Sequence, residues 1–188
     1  MHPRITLLSL GAVVLTFVMT AAAQPASARP LPSERQWHRD VSAAMAGSRD
    51  YLRAAVAEPG PTYAINLDID NTSLATHYDP GARIGPVFRL TRWAANHGVA
   101  VLFNTARYGA NIKAGKRLLR AAGYTVTEIC GRSGPKVSLA RGKVRCRQHF
   151  VDEGYTIVAN VGNNRTDFSG TKNYGRAFRL PNYGGRLG

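Results

Sequence analysis

Two aspartates stand two residues apart in Leu67-Asp68-Ile69-Asp70-Asn71-Thr72, directly after the run Tyr63-Ala64-Ile65-Asn66-Leu67. On an extended segment residues i and i+2 project to the same side, so Asp68 and Asp70 can converge on one ligand. Paired carboxylates serve as ligands for a hard cation, or as a nucleophile beside a general acid and base. The same residue types favour turns, and a polar strand-to-turn junction would use them with no chemistry at all. A second stretch has the same build. Val99–Phe103 ends in Asn104-Thr105-Ala106-Arg107, where a hydroxyl can donate to an anion and a guanidinium can clamp it. Those four residues could equally cap the helix that follows.

The elements that must position these groups are legible from breakers and periodicity. Gly60-Pro61 introduces Tyr63–Leu67, a mostly apolar run of the kind found in a buried parallel strand. In open α/β sheets ligands bind outside the carboxyl ends of the strands, which is where Asp68 falls. Upstream, Ser33 with Gln36 forms a capping-box pattern that opens a helix. Trp37, Val41, Ala44, Met45, Leu52 and Val56 recur at helical spacing, with Gly47 placed to divide the stretch in two. Ser73–Gly85 is a loop in which His77 or Tyr78 could touch a leaving group, though a surface turn accounts for it as well. A helix follows from Gly85-Pro86 to the stop at Gly98. Then come a strand over Val99–Arg107, a helix over Ala110–Ala122 and a strand over Tyr124–Ile129. The last strands are Tyr155–Val161 and Arg176–Leu180. Strand and helix alternate from Tyr63 onward, so the expected fold class is α/β. It is a Rossmann-like parallel sheet with helices on both faces, an N-terminal helical segment and no large cap domain.

The wording Asp68-Ile-Asp70-Asn-Thr72-Ser resembles the first motif of the haloacid dehalogenase superfamily, in the form found in secreted class B-like, or subfamily IIIB, acid phosphatases. Thr105-x-Arg107 matches the second motif. For the third, a single lysine, both Lys136 and Lys143 qualify. Lys143 with Arg147, followed by Gly154-Tyr155-Thr156-Ile157, is similar to the family pattern and is preferred. A helical stripe of Leu139, Lys143, Cys146 and Phe150 would also turn Lys143 inward, where an ammonium needs an anion. Gly162-Asn163-Asn164-Arg165-Thr166-Asp167-Phe168 matches the fourth motif, with Asn163 in place of its usual first aspartate. The resemblance implies a haloacid dehalogenase-like fold over residues 29–188 and an exported, metal-dependent phosphomonoesterase. Asp68 would be the nucleophile and Asp70 the general acid and base. Thr105, Lys143 and Arg107 would bind phosphate, and Asp68, Asp70, Asn163 and Asp167 would hold Mg²⁺. A carboxamide oxygen is an allowed ligand for a hard cation but brings no charge.

Composition sets the surroundings. The chain of 188 residues is long enough for one domain with a real core and carries a formal charge of +14. Dispersed basic charge suits a small phosphomonoester and gives no specific nucleic-acid partner. Residues 1–28 have the form of a secretory signal peptide: a short positive start, an apolar run over Ile5–Ala23, and Ala26-Ser27-Ala28 as the cleavage site. Export without a remaining membrane anchor is the expectation, and the oligomeric state is left open. Cys130 and Cys146 could pair or remain two buried thiols. Two other classes stay in view: a catalytically impaired phosphate-binding or storage protein on the same fold, and a basic polyanion-binding exported protein.

Overall fold

The apolar runs with polar ends become neighbouring strands of one parallel sheet. Five strands, β1 (Thr62–Leu67), β2 (Ala100–Tyr108), β3 (Glu128–Arg132), β4 (Tyr155–Gly162) and β5 (Arg176–Arg179), lie in the order β3-β2-β1-β4-β5. The chain steps outward from β1 to β3 and then crosses back to lay β4 on the other side of β1. This reversal opens a crevice at the carboxyl ends of β1 and β4, the place where open sheets of this type bind ligands. The structure is a computed structural model that describes residues 30–187, so the expected signal peptide and its cleavage site lie outside the described residues. No helix among the described residues is long and apolar enough to cross a membrane.

Helices cover both faces, as the alternation requires. They are α1 (Glu34–Ala44), α2 (Ser48–Ala55), α3 (Gly85–Asn96), α4 (Ala110–Ala121) and α5 (Leu139–Asp152). One set of strand side chains, with Ile65, Leu67, Val101, Phe103, Ala159 and Val161, joins Trp37, Val41, Leu52, Val87, Leu90 and Leu119 in the main core. The opposite set, Ala64, Leu102 and Ile157, packs against Phe150 of α5. Gly47 divides the N-terminal helical stretch as expected, with a φ of 69° that an L side chain rarely adopts. Ser33 caps α1 through Gln36 N–H at 3.3 Å, but the reciprocal half of the box is missing because the Gln36 amide reaches forward to Asp40 at 2.6 Å.

The third strand starts later than its sequence indicates, at Glu128 rather than Tyr124. The Tyr124 side chain is claimed by the core. Its ring meets Phe88 and Phe103 edge-on at 5.2 and 5.8 Å, and its hydroxyl donates to the Ser73 carbonyl at 2.7 Å. Thr127 then pairs with Val101 through its side chain as well as its N–H, and regular pairing begins only at Leu102 with Glu128. The shift places Cys130 inside β3, opposite α5. Cys130 and Cys146 form a disulfide that ties the edge strand to that helix.

Candidate active site

The pairing of β1 with β4 runs one residue past the strand, where Asp68 N–H donates to the Val161 carbonyl at 3.0 Å. The chain then turns sharply: the Ile69 carbonyl accepts from Thr72, Ser73 and Leu74 N–H. Asn71 takes the left-handed conformation (φ 53°), which asparagine tolerates better than most residues. Its amide fastens the turn, donating to the Leu187 carbonyl at 2.5 Å and accepting from His77 N–H at 2.7 Å. Ser73 Oγ donates to the Asp68 carbonyl at 2.6 Å, so the backbone beneath the first carboxylate is fixed from within its own loop.

At the centre lies a buried lysine. Lys143 Nζ is 2.5 Å from Asp68 Oδ1, 2.8 Å from Asp167 Oδ1 and 2.5 Å from the Asn104 carbonyl. Two of these contacts are hydrogen bonds, to Asp68 and the Asn104 main chain, and the one to Asp167 is an ion pair. Burial opposes its charge, but the two carboxylates outweigh burial and hold the ammonium protonated above its ordinary range. Burial is the main influence on Asp68, which is pushed up to about 6 with Lys143 opposing and Asp167 adding to the rise. Asp68 Oδ2 has no hydrogen-bond partner among the described residues, which leaves one oxygen of this carboxylate uncommitted. Lys136 is exposed and does not line the cavity.

Asp70 is held differently. Arg107 grips it with two hydrogen bonds, Nε to Oδ2 at 3.0 Å and Nη2 to Oδ1 at 2.6 Å, and Thr76 Oγ1 adds a third at 2.9 Å. Burial pushes this carboxyl up, but the Arg107 hydrogen bonds and charge prevail and keep it below its ordinary value. Arg107 thus reaches the site through Asp70. Thr105 is fully buried, and its hydroxyl accepts from Arg107 N–H at 3.2 Å, which fixes the backbone that aims the guanidinium. Neither Thr105 nor Arg107 lines the cavity described below.

The fourth segment is a 3₁₀ turn, Arg165–Phe168, that swings Asp167 back over the end of β4. Asn164 caps it reciprocally: its side chain accepts from Thr166 N–H, and Asp167 Oδ2 accepts from Asn164 N–H at 2.8 Å. Gly162 is required by this approach, because a Cβ there would overlap the Asp167 side chain. Arg147, fully buried on α5, holds the segment from beneath. It donates to the Asp167 carbonyl at 3.0 Å, to Asn173 Oδ1 at 3.1 Å and to the Ser169 carbonyl.

A cavity of about 310 Å³ opens over these groups. Asp68, Asp70, Lys143, Asn163 and Asp167 line it together, with Leu139 and Leu187 on its walls. The donor set fits a hard cation. Among the described residues no three His, Cys, Asp or Glu side chains gather as a metal centre, and a cation held here by Asp68 and Asp167 would draw on the Asn163 carboxamide as a further ligand. Its oxygen accepts only a long 3.4 Å bond from Thr72, while its amino nitrogen is buried without an acceptor. Turned about its last bond, the amide would give NH₂ to Thr72 and free its oxygen, which meets the demand of a cation such as Mg²⁺.

Sequence reasoning thus named five groups that share the cavity and two that stand behind it. Tyr78 is no part of a substrate rim: its ring stacks on Trp37 at 5.0 Å and its hydroxyl donates to the Pro32 carbonyl at 2.7 Å. Residues it did not single out as site supports are Asn71, Gly162 and Leu187. Arg147 entered only as part of a spacing pattern. For Gly162 the signal was present, since a glycine at a strand end before a polar turn marks a close approach.

Comparison with known proteins agrees with this geometry. The sequence model of the haloacid dehalogenase superfamily, subfamily IIIB (acid phosphatase), matches residues 78–186, more than half of the chain. The chain belongs to this family. Membership makes it a phosphoric monoester hydrolase of the acid phosphatase type, acting on small phosphomonoesters, in a superfamily whose phosphatases generally use a divalent metal. The match begins after Asp68 and Asp70, so those two rest on the geometry above. Among solved structures the chain resembles the class C acid phosphatase from Bacillus anthracis, with a TM-score of 0.61 at 20% identity over 73% of this chain and 67% of that one. The tungstate-bound structure of that Bacillus anthracis enzyme gives 0.59 at 19% identity, over 74% and 68%. At such identity the likeness shows the fold. No curated protein matches the chain in sequence.

Proposed function

We propose that this acid phosphatase works through an aspartyl-phosphate on Asp68, is Mg²⁺-dependent and is exported. The observation that supports the mechanism best is the single buried ammonium of Lys143 shared by Asp68 and Asp167 at the carboxyl end of β1. Lys143 holds one Asp68 oxygen, which leaves Oδ2 to form the bond to phosphorus as the bond from phosphorus to the leaving oxygen breaks. The departing alkoxide needs a proton, and Asp70, ionised while Arg107 holds it, is the neighbouring carboxylate that would take one up from solvent once the guanidinium lets go and then give it. Asp70 then takes a proton from the water whose oxygen displaces Asp68 and releases orthophosphate. In the resting arrangement Arg107 occupies Asp70. Anionic phosphoryl oxygens offer that guanidinium a competing partner, so substrate arrival frees Asp70 for proton transfer while Arg107 steadies the substrate.

Asp68, Asn163, Asp167 and the Asp70 main-chain carbonyl would hold the cation. When bound, it supplies positive charge that lets an anionic nucleophile meet an anionic ester. The disulfide supports export, since such bonds persist in oxidising compartments. A second reading, a phosphate-binding protein with little turnover, draws on one observation: the metal position offers a carboxamide where a third carboxylate would bind more strongly. Hydrolysis of a chromogenic phosphate ester, with and without chelator, separates the two. Turnover lost on chelation and restored by Mg²⁺ is expected, and folded Asp68→Asn should have none. Ordinary turnover by that variant would sink the covalent route.

A further inference from the structure

Three asparagines occupy strand positions where a parallel sheet is normally apolar. Asn66 on β1, Asn104 on β2 and Asn160 on β4 are 2%, 1% and 0% exposed. All three share the sheet face covered by α5: Asn66 and Asn104 alternate with Ala64 and Leu102, which pack with Phe150, and past the bulge in β4 Asn160 lies between Ala159 and Val161, which face the main core. Asn66 lies directly opposite Asn160, and Asn104 is one residue beyond the pairing of Leu67 with Phe103. Along that face Asn66 and Asn160 lie level with Leu102 and Asn104 stands one level higher, beside Asp68, so a stepped row of carboxamides separates the apolar side chains from the site.

Two of the amino groups serve the site directly, and the third serves one of those two. Asn104 Nδ2 donates to the Lys143 carbonyl at 2.9 Å, while the Asn104 carbonyl accepts Lys143 Nζ at 2.5 Å. One residue thus holds the lysine at its backbone and at its ammonium. Asn160 Nδ2 donates to the Asp167 carbonyl at 2.9 Å, and Asn66 Nδ2 donates to Asn160 Oδ1 at 2.5 Å, which fixes the orientation of the Asn160 amide. The row is a costly way to build a core. Asn66 Oδ1 and Asn104 Oδ1 are buried without partners, a penalty that leucine or valine at the same positions would avoid.

We infer that Asn104 and Asn160, with Asn66 acting through Asn160, are positioning residues that set where Lys143 and Asp167 stand relative to Asp68. The inference rests on the phosphatase reading above for its catalytic consequence. Leucine is nearly isosteric with asparagine and removes the amide without leaving a large void. Asn104→Leu should lower kcat about tenfold or more with KM within about threefold, since the lysine acts on charge that develops in the transition state. Asn160→Leu should lower kcat and weaken Mg²⁺ binding about tenfold through Asp167, whereas Asn104→Leu should leave Mg²⁺ affinity within about threefold.

The experiment combines steady-state kinetics on a chromogenic phosphate ester, Mg²⁺ calorimetry on the resting protein and a thermal melt for each variant. Asn66→Leu should give a weaker form of the Asn160→Leu phenotype, and the double variant should be no worse than Asn160→Leu alone. Independent structural damage would multiply instead. Serine replacements serve at any position where leucine prevents folding. Folded variants with kcat and Mg²⁺ affinity within about twofold of the parent would overturn the inference, as would multiplying losses at Asn66 and Asn160. A parent protein without turnover would refute the phosphatase reading, and the Mg²⁺ arm would still judge the row.

Discussion

Replacing Lys143 with methionine shortens the side chain by one atom and removes the charge that Asp68 and Asp167 share. Asp68 Oδ1 and Asp167 Oδ1 lie within 2.5 and 2.8 Å of the same nitrogen, so they can be no further than about 5.3 Å apart. At an effective dielectric near 20 two such charges repel by about 3 kcal/mol, and the lysine currently cancels this. Removing one member of a buried ionic cluster typically costs about 3–5 kcal/mol, and here part is relieved as Asp68, already pushed up to about 6, takes a proton. Lys143→Met should therefore lose about 2–4 kcal/mol of stability in metal-free buffer at neutral pH. Mg²⁺ should restore more stability to the variant than to the parent, because a cation then replaces the missing charge. Activity should fall about 10²–10³-fold in kcat even with saturating metal, the magnitude expected for a lost electrostatic donor. Urea denaturation with and without Mg²⁺, paired with steady-state kinetics, measures both. A variant within 1 kcal/mol of the parent, equally responsive to Mg²⁺ and equally active, would refute the reasoning.

Other outcomes follow from the same geometry. Asn163→Asp adds a carboxylate beside Asp68 and Asp167, so a Mg²⁺ titration of activity at fixed ionic strength should show half-saturation at lower metal; identical half-saturation would mean that Asn163 does not face the cation. Arg147→Met leaves three acceptors beneath the 3₁₀ turn without this donor and should cost about 3 kcal/mol by chemical denaturation while raising the Mg²⁺ requirement through Asp167; unchanged values for both would remove Arg147 from the support of the site. The pair Cys130→Ser and Cys146→Ser opens a 16-residue separation between β3 and α5 and should cost about 3 kcal/mol, with kcat per folded molecule nearly unchanged, as checked by denaturation of oxidised parent against the double variant.

The main lines of the fold could be read before any coordinates. Apolar runs ending in Asp68, Thr105 and Asn163 give parallel strands with their polar groups at one end, because side-chain alternation and the breakers Gly60-Pro61, Gly98 and Gly123 are local properties of the chain. The inward Lys143 was legible for the same reason, from helical spacing. What spacing could not supply is which groups meet across the sheet. That Arg107 grips Asp70, that Asn163 faces Thr72, and that Asn160 and Arg147 together carry the Asp167 backbone all depend on contacts between residues far apart in sequence. The late start of β3 has the same origin: the core took the Tyr124 ring, and local strand propensity gave way to packing. Sequence by itself determined the residue types, their order and the strand ends on which they sit. The tertiary structure alone decided their partners and thereby their charge states, because burial and the distance to an opposite charge are set only when separate strands and helices close on one another.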